Sequence, residues 1–301
     1  MITVFTPTYN REKLLIRLYS SLCKQKYKNF EWIIVDDGST DQTENKVKKF
    51  LTENKIKKIR YFKQQNSGKH VAFNMAIEKS KGELFICVDS DDYLTDDALD
   101  NIIQYYNKYK MTKKICGLVF QKGYSINQRI NKKYKDLEFI ENYNNYIINN
   151  EFKGDKCEVF ITNILKKYRF PVFKNEKFLS EGFLYSKIGR EYNYVFIDKI
   201  IYLCEYQETG LTKSGRKLRI NNPLGGMEHA KEYLDKDIYK TKIILKNYLL
   251  YYTYFRFYKN KNKENYNKIE VNKNILSLIG YCFSYILYLY WNKKYMNNRS
   301  W

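Results

Sequence analysis

Residues 84–94 read LFICVDSDDYL, an apolar run that empties into Asp89, Ser90, Asp91 and Asp92. Six acids lie between Asp89 and Asp100, in a chain with 54 Lys+Arg against 33 Asp+Glu. A strand ending in paired carboxylates predicts a ligand-binding edge with something cationic in it. Side chains alternate along a strand, so Asp89 and Asp91 are expected on one side and Ser90 on the other. Two like charges so placed are unfavourable unless a proton or cation is shared. Hard carboxylate oxygens suit Mg2+ or Mn2+, with phosphate oxygens completing the coordination. The competing reading is a solvated turn before a helix capped by Thr95, and it accounts for Asp96, Asp97 and Asp100.

Outward from this stretch, strand and helix patterns alternate. ITVFTPTY (2–9) reads as a buried strand, and REKLLIRLYSSL (11–22) carries Leu14, Leu15, Leu18 and Leu22 on one helical face. EWIIVDDG precedes TDQTENKVKKFL, IRYFKQ precedes GKHVAFNMAIEKS, and LFICVDS precedes TDDALDNIIQYY. Four such pairs in about 110 residues predict an α/β domain, a mostly parallel sheet with helices on both faces. Ligands of such sheets bind beyond the carboxyl ends of the strands. Each polar cluster lies at such an end: Thr6 to Asn10, Asp36 to Asp41, Asn66 to Lys69 and Asp89 to Asp92.

Spacing removes three other sites. An EF-hand loop starting at Asp89 needs an oxygen ligand, a glycine and a glutamate where this chain has Tyr93, Leu94 and Asp100. A P-loop ending at Gly68 and Lys69 needs a glycine where Lys63 stands and a hydroxyl where His70 stands. Phosphatases of the haloacid dehalogenase type place their aspartates on the first strand with Thr or Val two residues on. Here the acids follow the fourth strand, and Tyr93 lies two after Asp91.

The order of the four clusters is itself informative. TPTYNR at 6–11, IIVDDGSTD at 33–41, QNSGKHVAFNMAI at 65–77 and VDSDD at 88–92 together resemble the family 2 glycosyltransferases, which have the nucleotide-sugar-binding GT-A fold. The resemblance implies that Thr6, Pro7 and Tyr9 line the base pocket and that Asp37 hydrogen-bonds the base. It sets Lys69, Asp89 and Ser90 near the nucleotide, and gives Asp91, with Asp89, the metal on the diphosphate, Mn2+ or Mg2+. Read from the residues alone, Asp37 is equally a turn residue before a helix capped by Ser39, Thr40 or Asp41, and Lys69 a solvated lysine.

Beyond residue 110, KGDKCEVF (153–160), YRFPVFKNEKFLSEGFLYSKIGREY (168–192) and CEYQETGLT (204–212) resemble transferases of capsule and surface polysaccharide synthesis. Many relatives carry Glu-Asp where this chain has Glu181 and Gly182, so the likeness gives the catalytic base to Glu181. Its competing reading is a first-turn glutamate that favours the helix dipole. Asp155 and Glu158 are candidates for sugar contacts, and Lys213 and Arg216 for a loop over the diphosphate. The expected division is 1–110 for the nucleotide-sugar half, 111–235 for the acceptor and donor-sugar half, and 236–301 for a helical segment.

Composition bounds the remainder. The 301 residues are 44% hydrophobic, enough for a substantial core. The net charge of +21 calls for an anionic partner: nucleic acid, membrane surface or phosphorylated substrate. No nucleic-acid motif stands in the basic stretches, and nucleic acid is not the expected partner, although a basic nucleic-acid binder or an inactive transferase-like scaffold remain the alternatives. Cysteines at 23, 87, 116, 157, 204 and 282 form no CxxC pair, the usage of reduced thiols in the cytoplasm. ITVFTPTYN after Met1 lacks the pattern of a signal peptide.

The C-terminal segment carries its own signal. TKIILKNYLLYYTYFRFYK (241–259) is followed by NILSLIGYCFSYILYLYWN (274–292), 19 residues without a charge between Lys273 and Lys293. Ser277, Gly280 and Ser284 form a narrow face of small residues opposite a broad apolar and aromatic one. Tyrosines and flanking lysines favour peripheral attachment to an anionic membrane surface, at the inner face of the cell membrane and near a lipid-linked saccharide acceptor. The alternative is a helix pair packed on the catalytic domain or on a second subunit in a homo-oligomer.

Overall fold

The computed structural model of the chain describes residues 1–205, 211–261, 271–272 and 274–296; of 211–214 only the backbone is described. Its N-terminal part alternates as the sequence predicts: β1 (Ile2–Thr8), α1 (Leu15–Lys24), β2 (Phe30–Asp36), α2 (Thr43–Glu53), β3 (Ile59–Lys63), α3 (Lys69–Lys79) and β4 (Leu84–Cys87). β1 lies parallel to both β2 and β4, and β2 parallel to β3. All the strands of this half therefore end at one edge.

The second half adds β5 (Tyr93–Leu94), α4 (Ala98–Tyr109), β6 (Ile115–Ser125), β7 (Gln128–Arg129), β8 (Glu138–Asn142), β9 (Lys156–Ile161), α5 (Thr162–Leu165), α6 (Gly182–Ile188) and β10 (Asn193–Leu203). One ten-stranded sheet runs through both halves in the order β3-β2-β1-β4-β9-β6-β10-β5, with β7 paired to β6 and β8 to β10 off this path. Beyond β4 the sheet is mixed rather than parallel, because β9 inserts antiparallel to both β4 and β6. β6 and β10 then run parallel to each other, in the direction of β4. The ends of β6 and β10 and the start of β9 thus join the ligand edge.

Alternation along the strands divides the core between two faces. Val4, Trp32, Ile34 and Ile86 pack with Leu18 and Leu22 of α1, Phe50 of α2 and Ile102 of α4. Phe5, Ile33, Val35 and Phe85 pack on the other face with Phe73 and Ile77 of α3 and Phe183 of α6. Each such side chain removed from water stabilises the fold by about 1.5–3 kcal/mol.

A third core lies outside the sheet, among α7 (Leu211–Asn221), α8 (Pro223–Glu232), α9 (Thr241–Lys261) and α10 (Ile275–Trp291). It is built from Tyr248, Tyr251, Tyr252, Tyr254, Phe255 and Trp291 with Ile243 and Ile244. The small face of α10 is the one that packs on α9: Ser277, Gly280 and Ser284 are buried. A Cβ on Gly280 would stand 2.6 Å from Tyr248 Cβ, so only glycine lets the two helices approach this closely. Tyr252 Oη shares a 2.7 Å hydrogen bond with Ser277 Oγ, and Arg256 Nε donates to Ser284 Oγ at 2.9 Å. The opposite face of α10 is uncovered, with Ile275, Leu278, Phe283 and Ile286 each more than half exposed.

Candidate active site

The acids that follow β4 stand in a turn, not on the strand. β4 ends at Cys87, and the Asp92 N–H donates to the Asp89 carbonyl at 3.1 Å. Turn closure, rather than strand alternation, brings Asp89 and Asp91 together. Tyr202, buried on β10, holds the turn from beneath: its hydroxyl accepts from the Asp89 N–H and donates to Asp92 Oδ2, each at 2.9 Å. Ser90 is buried at 6% exposure.

Lys69 opens α3 and reaches across this edge. Its ammonium lies 2.5 Å from Asp89 Oδ1 and 2.9 Å from Glu181 Oε1, so one cation joins the acid turn to the residue just before α6. Burial alone would lower the pKa of Lys69, but Asp89 and Glu181 overrule it and raise it well above the ordinary lysine value. Glu181 makes no side-chain cap to α6, and the ion pair is what orients it.

Lys122 is a second cation at this edge, supplied by β6. It lies 3.9 Å over the Tyr202 ring, and although burial opposes its charge, the Cys204 thiol with Asp89, Asp92 and Asp155 raises its pKa. Burial likewise raises the carboxyl of Asp89, but Lys69 and Lys122 outweigh that and hold it below the usual range. Asp92 is pushed up to about 7 by burial and by Asp89. Asp91 is raised by burial and by the same neighbouring charge. Among the described side chains neither Asp91 nor Asp92 forms an ion pair; Asp92 is bound by the Tyr202 hydroxyl, which leaves Asp91 as the carboxylate that a cation would satisfy. The described residues hold no cluster of three or more His, Cys, Asp and Glu side chains able to enclose a metal. The donor set therefore fits a cation that phosphate oxygens complete, not a self-contained metal centre.

The remaining predicted residues divide. Asp155 and Glu158 come to the edge with the start of β9, next to Lys122. Glu158 is buried, receives the Tyr143 hydroxyl at 3.3 Å and is pushed up to about 7 by burial, with Lys122 and Lys156 opposing and Glu181 adding to the rise. Pro7 is buried at the end of β1, opposite Val35, and Tyr9 just beyond it is 47% exposed. Thr6 does not reach the edge: it is fully buried and its hydroxyl accepts the Trp32 indole N–H at 2.9 Å, so its side chain belongs to the core.

Asp37 acts on the protein itself. Its carboxylate accepts from Gln64 Nε2 and the Ser67 N–H on Oδ1, at 2.8 and 2.7 Å, and from the Gly68 N–H on Oδ2 at 2.8 Å. Three of roughly four lone-pair sites are thereby taken up in holding the loop that delivers Lys69. Gly68 has φ +97°, and a Cβ there would lie 2.0 Å from the Lys177 carbonyl oxygen. The backbone of Lys177 therefore makes a close approach at this glycine. Without a side chain, Gly68 lets the chain four residues before Glu181 pass this close to the start of α3.

Two further expectations fall differently. Arg216 does not hang over the acid edge: it donates to Tyr254 Oη at 3.3 Å and stacks on Trp291 at 4.3 Å, tying α7 to the C-terminal helices. The side chain of Lys213 lies outside the described residues. Sequence reasoning missed Lys122 and Tyr202. The available signal was positional, since each closes an apolar strand, ICGLVFQK or YVFIDKIIY, at its carboxyl end.

A mixed sheet with helices on both faces, and a carboxylate turn at the ligand edge, define a GT-A fold. The glycosyl transferase family 2 profile matches residues 3–169, and the chain belongs to that family. It is 29% identical over 214 residues, 67% of this chain, to the glycosyltransferase GlyA of Streptococcus pneumoniae, and spans only 29% of that protein's length. It is 26% identical over 235 residues, 76% of this chain and 73% of the relative, to the GalNAc(5)-diNAcBac-PP-undecaprenol beta-1,3-glucosyltransferase of Campylobacter jejuni. Among solved structures, Staphylococcus aureus TarS 1–349 with UDP-GlcNAc superposes with a TM-score of 0.64 at 21% identity, over 94% of this chain and 79% of that one. The mannosyltransferase PcManGT of Pyrobaculum calidifontis, with GDP-Man and Mn2+, gives 0.56 at 16% identity, over 98% of this chain and 84% of that one.

Proposed function

We propose that the chain is an inverting glycosyltransferase that moves a sugar from a nucleotide-diphosphate donor, a UDP-sugar, to a saccharide acceptor on a lipid carrier. The observation that carries this reading is the Lys69 bridge. It holds an acid of the donor edge and a candidate base within 2.5 and 2.9 Å of one ammonium, where donor and acceptor have to meet.

Pro7 and Tyr9 border the base of the donor, while Asp37 holds the loop beside it in shape. Asp91, with Asp89, would hold Mn2+ or Mg2+, which supplies positive charge to the departing diphosphate. Lys69 meets the same diphosphate, and the arriving phosphates draw its ammonium away from Glu181. The freed carboxylate takes the proton of the acceptor hydroxyl as that oxygen bonds the anomeric carbon and the nucleoside diphosphate leaves from the opposite face. Lys122, after Lys69, helps to hold Asp89 ionised.

The acceptor class rests on the Campylobacter relative, whose name specifies an undecaprenol diphosphate glycan. Peripheral attachment at the inner face of the cell membrane rests on the bare face of α10. The helical stretch Ile275–Met296 is long and apolar enough to cross a membrane, yet only 22% of its apolar 18-residue window is buried in the protein. Tyrosines along it and lysines at 293 and 294 suit the headgroup zone of an anionic leaflet.

Thermal unfolding tests the donor site. UDP with Mn2+ at 100 times its Kd should stabilise the chain by about 2.7 kcal/mol, whereas Mn2+ without UDP should do little, since the described residues offer no cluster of three metal ligands. Stabilisation by single-stranded oligonucleotides but not by UDP would replace this reading with nucleic-acid binding.

A further inference from the structure

A cavity of about 360 Å³ opens beside the segment that carries Glu181. Phe178 and Ser180 form one wall, α7 and α8 the second, α9 the third. It abuts the residue that follows the candidate base. Tyr233, on the lining, donates its hydroxyl to the Gly182 carbonyl at 3.2 Å, and a Cβ on Gly182 would lie 3.4 Å from His229 Nε2.

The charge of this cavity is one-sided. Arg216, Arg219, Lys153 and Lys246 line it, against one acid, Glu151, which is already paired with Lys242 at 2.6 Å. Arg219 is half-buried and has no ion pair among the described residues. Arg216 is held in place by Tyr254 and Trp291, so its guanidinium is pre-positioned rather than free. Ile243, Leu250, Tyr254 and Phe152 supply an apolar and aromatic floor beneath these cations. His229 adds no charge, because burial and Arg219 depress its pKa to about 3.

Clustered guanidinium groups match phosphate oxygens in pairs, and 360 Å³ holds a phosphate with a small attached group. From this we infer that the cavity is the acceptor's anionic subsite. It takes the phosphate or diphosphate that joins the acceptor glycan to its carrier, with the apolar floor meeting the first carbons of the carrier. The inference rests on the reading of Glu181 as the acceptor-side base. It adds that the acceptor is recognised through its phosphate, on helices that also carry the exposed face of α10.

The test uses the full chain saturated with UDP and Mn2+, so that the donor edge is filled. Geranyl diphosphate, sn-glycerol 3-phosphate and geraniol are titrated by calorimetry. A phosphate-bearing probe should bind at a further site, geraniol should not, and Arg219→Ala should weaken the probe about tenfold or more while leaving UDP affinity unchanged. Arg219→Lys should recover part of the loss. Lys246→Ala, on the exposed rim, should weaken the probe about threefold and covers the case in which Arg219→Ala does not fold. Preference for geranyl diphosphate marks a prenyl carrier, and equal or better binding of glycerol phosphate marks a polyol-phosphate chain; either supports the subsite. Probe affinity unchanged in both Arg219→Ala and Lys246→Ala, or no phosphate-bearing probe bound at millimolar concentration, overturns it. Loss of UDP binding by the wild-type chain with intact probe binding would instead overturn the donor reading and leave the cavity standing.

Discussion

The acid edge of the sheet and the α9–α10 helix pair are built on opposite principles. At the edge, short polar segments are held by hydrogen bonds and opposed charges, and the apolar residues lie behind them. In the helix pair the contact is made by small residues and tyrosines, and large apolar side chains face outward. Substitution at the edge should therefore remove chemistry and spare the fold. Substitution inside the helix pair should do the reverse, and substitution on its outer face should do neither.

The largest effect is expected at Asp91. Asp91→Ala should lower metal-dependent transfer about a thousandfold or more with unfolding temperature little changed, as measured by donor turnover and thermal melts. Transfer at the wild-type rate would remove the cation from this edge. Glu181→Gln should follow, with transfer reduced about a hundredfold or more and UDP affinity retained. Should substantial transfer persist in that variant, the proton acceptor lies elsewhere, and Asp155 is the next residue to change.

The helix pair supplies the contrast. Gly280→Val places a side chain where Tyr248 already stands 2.6 Å from the nearest added atom, and should cost about 1–3 kcal/mol with UDP binding intact. Equal losses of stability and UDP binding would show the two regions to be one cooperative unit.

A smaller effect comes from protons at the edge. Burial raises Glu158 to about 7 in the folded chain, above its unfolded value near 4.3, so the folded state binds more protons between those limits. Its contribution to stability is full below that unfolded value and is lost as pH rises through about 7. Denaturant melts of the ligand-free chain between pH 5 and 8 should register this as a decline of order 1–2 kcal/mol, which Glu158→Gln should reduce. An identical slope in the variant would assign the proton to Asp92, which burial and Asp89 also push up to about 7.

The smallest change in stability belongs to the bare face. Phe283→Glu with Ile286→Glu should alter it by no more than about 0.5 kcal/mol each, since both side chains are more than half exposed. Flotation with anionic liposomes at low salt should nevertheless fall sharply, as it should for a chain ending near residue 240. Flotation unchanged by both alterations would leave α10 without a membrane role.

Much of the edge was legible because its signals are local. An apolar run followed by DSDD, a strand emptying into DDG and a glycine before a lysine each state their chemistry within a few residues. What Asp37 and Gly68 do was not legible, since their partners lie elsewhere in the chain: Ser67 and Gln64 for one, the Lys177 carbonyl for the other. Thr6 was misplaced for the same reason, because Trp32 on the neighbouring strand decides which way its hydroxyl points.

By itself the sequence determined the order of strands and helices in the first 110 residues, the edge where the polar clusters gather, and the narrow face of small residues on α10. These follow from hydrophobic periodicity and from the alternation of side chains, which depend on neighbours along the chain. Only tertiary structure decided that β9 inserts antiparallel and brings Glu158 to that edge, that Lys122 and Tyr202 join it from β6 and β10, and that Lys69 bridges Asp89 to Glu181. Each of these joins residues some 20 to 113 positions apart, and electrostatics in a buried site depends on distance through space, which spacing along a chain does not record.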